Sequence, residues 1–119
     1  MFSPNHGDTF NCPVEICEAR YGLNVLRKAL SERPINASGH SGGHGVNVTY
    51  EARASASLSV GYTRAKMPVW SLNDQPPGGT NAMVVQRAAG TEEHHQFASG
   101  VSLHAGDRVQ IKTAGGGNA

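Results

Sequence analysis

The chain has 119 residues, a formal net charge of +1 and only 16% charged residues. A chain of this length can bury one core, and its near-neutral charge gives no electrostatic basis for a nucleic-acid or anionic-membrane partner. No run approaches the ~18 consecutive apolar residues of a membrane span. Residues 1–17 also lack the basic and apolar regions of a signal peptide.

Residues 1–35 are predicted to form an N-terminal arm followed by a helical segment. Pro13 suits a first helical turn. Gly22 interrupts the pattern, so two short helices, or a strand followed by a helix, both remain open. The helical interpretation rests on apolar residues that recur at helical spacing, namely Leu23, Leu26 and Leu30.

Residues 36–45 form a glycine-rich connector, and residues 46–119 are predicted to be a β domain. The connector is followed by VNVTYEARASASLSVGYT, in which apolar and polar residues alternate over residues 46–63. This alternation favours a half-buried β-strand. Because a straight strand of this length would be longer than a compact small domain, we expect a break within residues 53–57.

Further short strands are predicted along the C-terminal half. Pro68 limits residues 69–72 to an edge strand, and residues 82–87 form another strand. Residues 96–103 and 108–113 are expected to pair as a hairpin through residues 104–107, followed by a flexible tail. The fold class is therefore mainly β: a small antiparallel β-sandwich or jelly roll with an N-terminal arm and one or two short helices.

Histidines and cysteines are the candidate metal ligands in this sequence. His40 and His44 lie four residues apart, but their glycine-rich surroundings do not favour a helix that would bring them together. His6, Cys12 and Cys17 match no zinc signature. We therefore expect no bound metal and free or buried thiols, with a small disulfide loop as the alternative.

No catalytic or cofactor-binding residue is predicted. In Glu92–His95 the two histidines are adjacent, and adjacent side chains diverge, so a solvated loop is expected. Ser41 lies in a glycine-rich turn but not between a strand and a helix. Trp70, the single tryptophan, is expected in the core. These observations predict a protein that is not an enzyme and has no cofactor.

Residues 45–117 resemble the C1q/TNF-like jelly-roll family. The resemblance lies in GVNVTYEARASASLSVGYTRAK, with its alternating strand, and in FASGVSLHAGDRVQIKTAGGG, with a Gly-Asp turn between two strands. It implies a jelly-roll fold, trimerisation, and use as a binding or decorating module on fibres, particles or cell surfaces. It supplies no catalytic residues.

Low charge and the absence of a catalytic pattern favour a structural or interaction protein. The first hypothesis is a small bacteriophage virion component, such as a capsid-decoration or tail protein. It would assemble as an oligomer, expected to be a homotrimer, with other virion proteins as partners. The alternative is a lectin-like, carbohydrate-binding module whose partners are glycans.

Overall fold

The computed structural model describes residues 12–31 and 42–118. The predicted arm, His6, His40, Ser41 and most of the connector lie outside the described residues. The described part contains one helix, α1 (Val14–Arg20), and the following strands: β1 (Leu23–Leu30), β2 (Val46–Ala52), β3 (Ala56–Val60), β4 (Ala82–Gln86), β5 (Glu92–His95), β6 (Ala98–Leu103) and β7 (Arg108–Lys112). Among these residues no helix is long and apolar enough to cross a bilayer.

The described strands form a five-stranded sheet in the order β1-β2-β7-β4-β5 and a two-stranded sheet of β3 and β6. Every described strand pair is antiparallel. The predicted mainly β, antiparallel fold with a short helix is therefore confirmed. The described strands do not close into a barrel, and the jelly-roll topology stays a prediction.

Residues 23–30 form a strand, so the helical interpretation of their leucines was wrong. Gly22, at φ +62°, turns the chain between α1 and β1. β1 pairs with β2 from Leu23 to Leu30, with a bulge between Val25 and Arg27. The extra residue shifts the alternation by one position, so that Leu23 and Leu30 share one face of the bulged strand. The same seven-residue separation also fits a helix, which is why the spacing was ambiguous.

The long alternating stretch breaks as predicted. β2 ends at Ala52 and β3 begins at Ala56, and the two strands belong to different sheets. The alternation keeps its phase across the break: Ala52 of β2 lies in the buried cluster, and Leu58 and Val60 of β3, at even positions like Ala52, pack against it. The other apolar residues of β2, Val46, Val48 and Tyr50, line a crevice with residues of α1.

Two connections differ from the prediction. Residues 92–95 form β5, which pairs with β4, and are not a loop. β6 and β7 do not pair as a hairpin, because β6 pairs with β3 whereas β7 lies between β2 and β4. The turn between them, closed by the Asp107 N–H donating to the His104 carbonyl at 3.0 Å, carries the chain from one sheet to the other.

The buried core lies where the two sheets face each other. Its buried apolar residues are Ala52, Met83, Val85, Ala98, Leu103 and Val109. Trp70 is outside this core with 68% of its surface exposed, so the prediction of a core tryptophan was wrong. Residues 69–72 also form no strand. The predicted boundary at residues 36–45 stays a prediction, although β1 and β2 on either side of it pair in one sheet.

Candidate functional site

Four strands of the large sheet, β1, β2, β7 and β4, begin or end at the same end of the sheet. β1 ends where β2 begins, with Leu30 opposite Val46. β7 ends there too, with Lys112 opposite both Asn47 and Ala82, the latter at the start of β4. This pairing brings together three glycine-containing segments, residues 42–45, 77–80 and 113–118, which we call the glycine junction.

The glycines of this junction allow its backbones to touch. A Cβ added at the buried Gly45 would overlap the Thr113 carbonyl oxygen and lie 2.9 Å from the Ser31 hydroxyl oxygen. A Cβ at Gly78 would lie 2.7 Å from the carbonyl oxygens of Gly115 and Gly116. Since real Cβ atoms do not approach backbone oxygens this closely, only glycine fits at these two positions without backbone movement.

Hydrogen bonds fix the three segments to one another. The Gly116 N–H donates to the Gly43 carbonyl at 2.8 Å, and the Thr113 N–H donates to the Val46 carbonyl at 2.8 Å. The Ala114 N–H donates to the Asn81 side-chain oxygen at 2.7 Å. The C-terminal residues therefore run back along the junction, and their predicted flexibility stays a prediction.

The glycine junction encloses a groove of about 400 Å³. Of the described residues that line it, Lys112 is the only charged one; Ser31, Thr80 and Thr113 contribute hydroxyl groups and Asn118 a side-chain amide. The Thr113 hydroxyl accepts the Val46 N–H at 2.7 Å, whereas within the described residues the Ser31 and Thr80 hydroxyls and the Lys112 amino group have no hydrogen-bond or ion-pair partner. One positive charge and two unpartnered hydroxyl donors suit a carbonyl or carboxylate group of a ligand.

An ion cluster of Arg87, Glu93 and Asp107 lies at the opposite end of β4. The Arg87 guanidinium makes two 2.8 Å bonds to the Glu93 carboxylate and one of 2.9 Å to Asp107. Asp107 is only 3% exposed and also accepts the backbone N–H groups of His104 at 3.0 Å and Ala88 at 2.9 Å. These bonds hold the β4–β5 and β6–β7 turns together.

The protonation of this cluster follows from its bonding. The backbone N–H groups of His104 and Ala88, together with Arg87, lower the pKa of Asp107 to about 2. Hydrogen bonds from Arg87 lower the pKa of Glu93. Bonds to Glu93 and Asp107 raise the pKa of Arg87. All three groups are therefore ionised at neutral pH and paired with one another. Such internal pairing is typical of a cluster that stabilises the structure.

The residues of Glu92–His95 are split between the two faces of β5. Glu93 and His95 are half-buried, with the His95 ring nitrogen 3.3 Å from the Glu93 carboxylate, whereas Glu92 and His94 are exposed. The Tyr62 hydroxyl donates to the His95 carbonyl. Among the described residues, no serine, threonine or cysteine side chain hydrogen-bonds to a histidine ring, so no activated nucleophile of that kind is assembled there.

Both cysteines line a separate crevice of about 290 Å³ between α1 and the β1–β2 pair. They are free thiols. Burial raises the pKa of Cys17, which makes it a weaker nucleophile at neutral pH. His44 lies apart from them, its Nδ1 being 2.8 Å from the Ser31 carbonyl oxygen. The described residues contain no group of three or more potential metal ligands.

Sequence reasoning missed the groove-lining residues Ser31, Thr80 and Lys112. Ordinary polar residues in turns and at strand ends carry no recognisable motif. The signal that was present is the recurrence of paired or tripled glycines at residues 42–43, 78–79 and 115–117. Such clusters can mean flexible linkers or close backbone packing, and only the strand order decides between the two.

Comparison with known proteins shows the family to which this chain belongs. The model of the hydantoinase B/oxoprolinase family matches residues 2–118. The chain belongs to this family. An uncharacterized protein of the archaeon Methanocaldococcus jannaschii is 29% identical over 107 residues, which are 90% of this chain and 19% of the relative. The chain thus spans about a fifth of the length of that curated relative, and no solved structure matches it.

The family match overturns the resemblance to C1q/TNF-like domains and the assignment to a bacteriophage virion protein. The resemblance rested on alternating strands and a Gly-Asp turn, which many β proteins share, and the virion assignment rested on low charge and the absence of a catalytic pattern. The turn at residues 104–107 does not even join paired strands here, since β6 and β7 lie in different sheets. The predicted homotrimer, the glycan-binding alternative and a non-enzymatic structural role stay predictions.

Proposed function

We propose that this chain is a substrate-binding β module of a larger hydantoinase B/oxoprolinase-type enzyme. The observation that carries the proposal is the groove of the glycine junction, with Lys112 as the only charged side chain among the described residues that line it. In this role the groove holds a carbonyl or carboxylate group of a cyclic amide. Residues from the rest of the enzyme supply the groups that break the ring.

The chemistry of the groove fits the compounds after which the family is named. Hydantoin and oxoproline are small five-membered cyclic amides with ring carbonyls, and oxoproline also carries a carboxylate. The groove volume of about 400 Å³ is ample for such a ring. The Lys112 ammonium pairs with a carboxylate, while the Ser31 and Thr80 hydroxyls donate to carbonyl oxygens.

A binding role is favoured over bond breaking by the chain alone. The cluster of Arg87, Glu93 and Asp107 is internally paired, and the carboxylates in it have lowered pKa values, which do not suit a general base at neutral pH. Hydrolysis by the whole enzyme requires further residues. The activity therefore belongs to a longer polypeptide, of which this family region is one part.

A titration of the 119-residue chain with oxoproline tests the proposal. We expect backbone amide NMR shifts around residues 112–116 and 78–80, and about tenfold weaker binding for Lys112→Gln, because a charge-assisted hydrogen bond contributes about 1.5 kcal/mol. Lys66→Gln is the matched control, because Lys66 does not line the groove. 2-Pyrrolidinone, the same ring without the carboxylate, should bind less well. Shifts that map elsewhere, or equal binding by Lys112→Gln, would contradict the proposal.

A further inference from the structure

Three large apolar side chains are exposed within one short segment. Met67 is 74% exposed, Trp70 68% and Leu72 51%. We call these three residues the apolar platform. Arg64 and Lys66 precede it in the same loop and add two positive charges. Scattered exposed apolar residues are ordinary, but three within six consecutive positions form a candidate interaction surface.

The apolar platform is held in place by the C-terminal segment. The Leu72 N–H donates to the Asn118 carbonyl at 2.8 Å, and the Asn118 N–H donates to the Ser71 hydroxyl at 2.7 Å. On the other side, the Gly78 N–H donates to the Val69 carbonyl at 2.8 Å. A surface ordered in this way loses little conformational entropy when it binds a partner.

The backbone of the loop is also unusual. Arg64, Asn73 and Asp74 have φ values of 58°, 53° and 56°, in the left-handed region, which asparagine and aspartate adopt more readily than arginine does. Conformations of this kind persist when the surrounding contacts fix them. The hydrogen bonds from the C-terminal segment provide such contacts next to Asn73 and Asp74.

The length of the related protein indicates what covers the platform. The matched 107 residues are 19% of the archaeal relative, so most of a protein of this kind lies outside the matched region. We propose that the apolar platform docks onto the rest of a hydantoinase B/oxoprolinase-type polypeptide. Its counterpart there is an apolar surface with acidic side chains at the rim, opposite Arg64 and Lys66. The proposal rests on family membership and is independent of the ligand of the groove.

Hydroxyl-radical footprinting tests the docking directly, because methionine and tryptophan side chains oxidise readily. The isolated chain is compared with a chimera in which it replaces the matched segment of the archaeal relative. We expect the oxidation rates of Met67 and Trp70 to fall at least fivefold in the chimera. Tyr21, exposed in the turn after α1, is the internal control and should change less than twofold. Unchanged Met67 and Trp70 rates in a folded chimera would overturn the proposal.

If the chimera does not fold, a second measurement tests the same proposal. Trp70 is the single tryptophan of the chain, so its emission reports on the platform. The relative with its matched segment deleted is made tryptophan-free and added to the intact chain. We expect a blue shift of the emission, and at least tenfold weaker binding for Met67→Ser/Leu72→Ser than for the control Leu26→Ser. Absence of binding, or a blue shift caused by dilution-sensitive self-association of the chain alone, would overturn docking to the rest of the enzyme.

Discussion

Replacing Asp107 with asparagine is expected to lower the free energy of unfolding by about 2 kcal/mol. The folded state lowers the pKa of this carboxyl from 3.8 to about 2, and one pKa unit corresponds to about 1.4 kcal/mol. An amide at position 107 has a single acceptor oxygen, so it cannot accept both the His104 and the Ala88 N–H, and it no longer pairs with the charge of Arg87. Urea denaturation at pH 6, followed by circular dichroism, measures the change.

Asp74→Asn is the matched control for this substitution. Asp74 is exposed, and asparagine tolerates its φ of 56° at least as well as aspartate. We expect a change of less than about 0.5 kcal/mol, as is usual for surface substitutions. An equal loss of stability in both variants would show that the bonding of Asp107 is not the cause.

The same carboxyl gives a predicted pH dependence. Since its folded pKa lies below its ordinary value, its stabilising contribution is present above about pH 4 and is lost as the pH falls through about 2. The stability difference between the native chain and Asp107→Asn should therefore shrink over this interval. Denaturation curves at pH 6, 4, 3 and 2 check this, and a difference that stays constant down to pH 2 would contradict the lowered pKa.

Replacing Gly45 with alanine is expected to cost about 2–3 kcal/mol of folding stability, because the added methyl group meets backbone on a side where little can move. A Cβ at this position overlaps the Thr113 carbonyl oxygen, and Ser31 lies close on another side. The strain falls on the bonds that join residues 113–118 to the start of β2. We therefore also expect faster hydrogen exchange at the Thr113 and Gly116 amides.

Gly43→Ala provides a control within the same segment. A Cβ added at Gly43 would meet nothing within 4 Å, so its cost should be no more than about 0.5 kcal/mol. Comparison of the two variants separates close backbone packing from the general effect of removing a glycine. If Gly45→Ala is no more destabilised than Gly43→Ala, the glycine junction is looser than described.

The fold class of this hydantoinase B/oxoprolinase region could be predicted from its sequence. The pairing of its strands could not. Alternation in residues 46–63 identified β2 and β3 and the break between them, because a two-residue period is a local property of a half-buried strand. The helical spacing of Leu23 and Leu30 was misleading, since a strand with one bulged residue brings the same positions to one face. The β6–β7 turn looked like a hairpin, because local turn chemistry does not reveal which sheet each flanking strand joins.

The sequence by itself determined the fold class, the alternation of apolar residues in β2 and β3 and the break between these strands, all of which depend on neighbouring residues. Only the tertiary structure decided that Lys112, Ser31 and Thr80 line one groove, since they come from separate elements that meet through strand order. It also decided that Gly42, Gly45, Gly78 and the glycines at residues 115–117 serve close packing, because the atoms they accommodate belong to distant segments. Trp70 lies outside the core, which hydrophobicity alone did not predict, because burial depends on which surfaces meet in the fold.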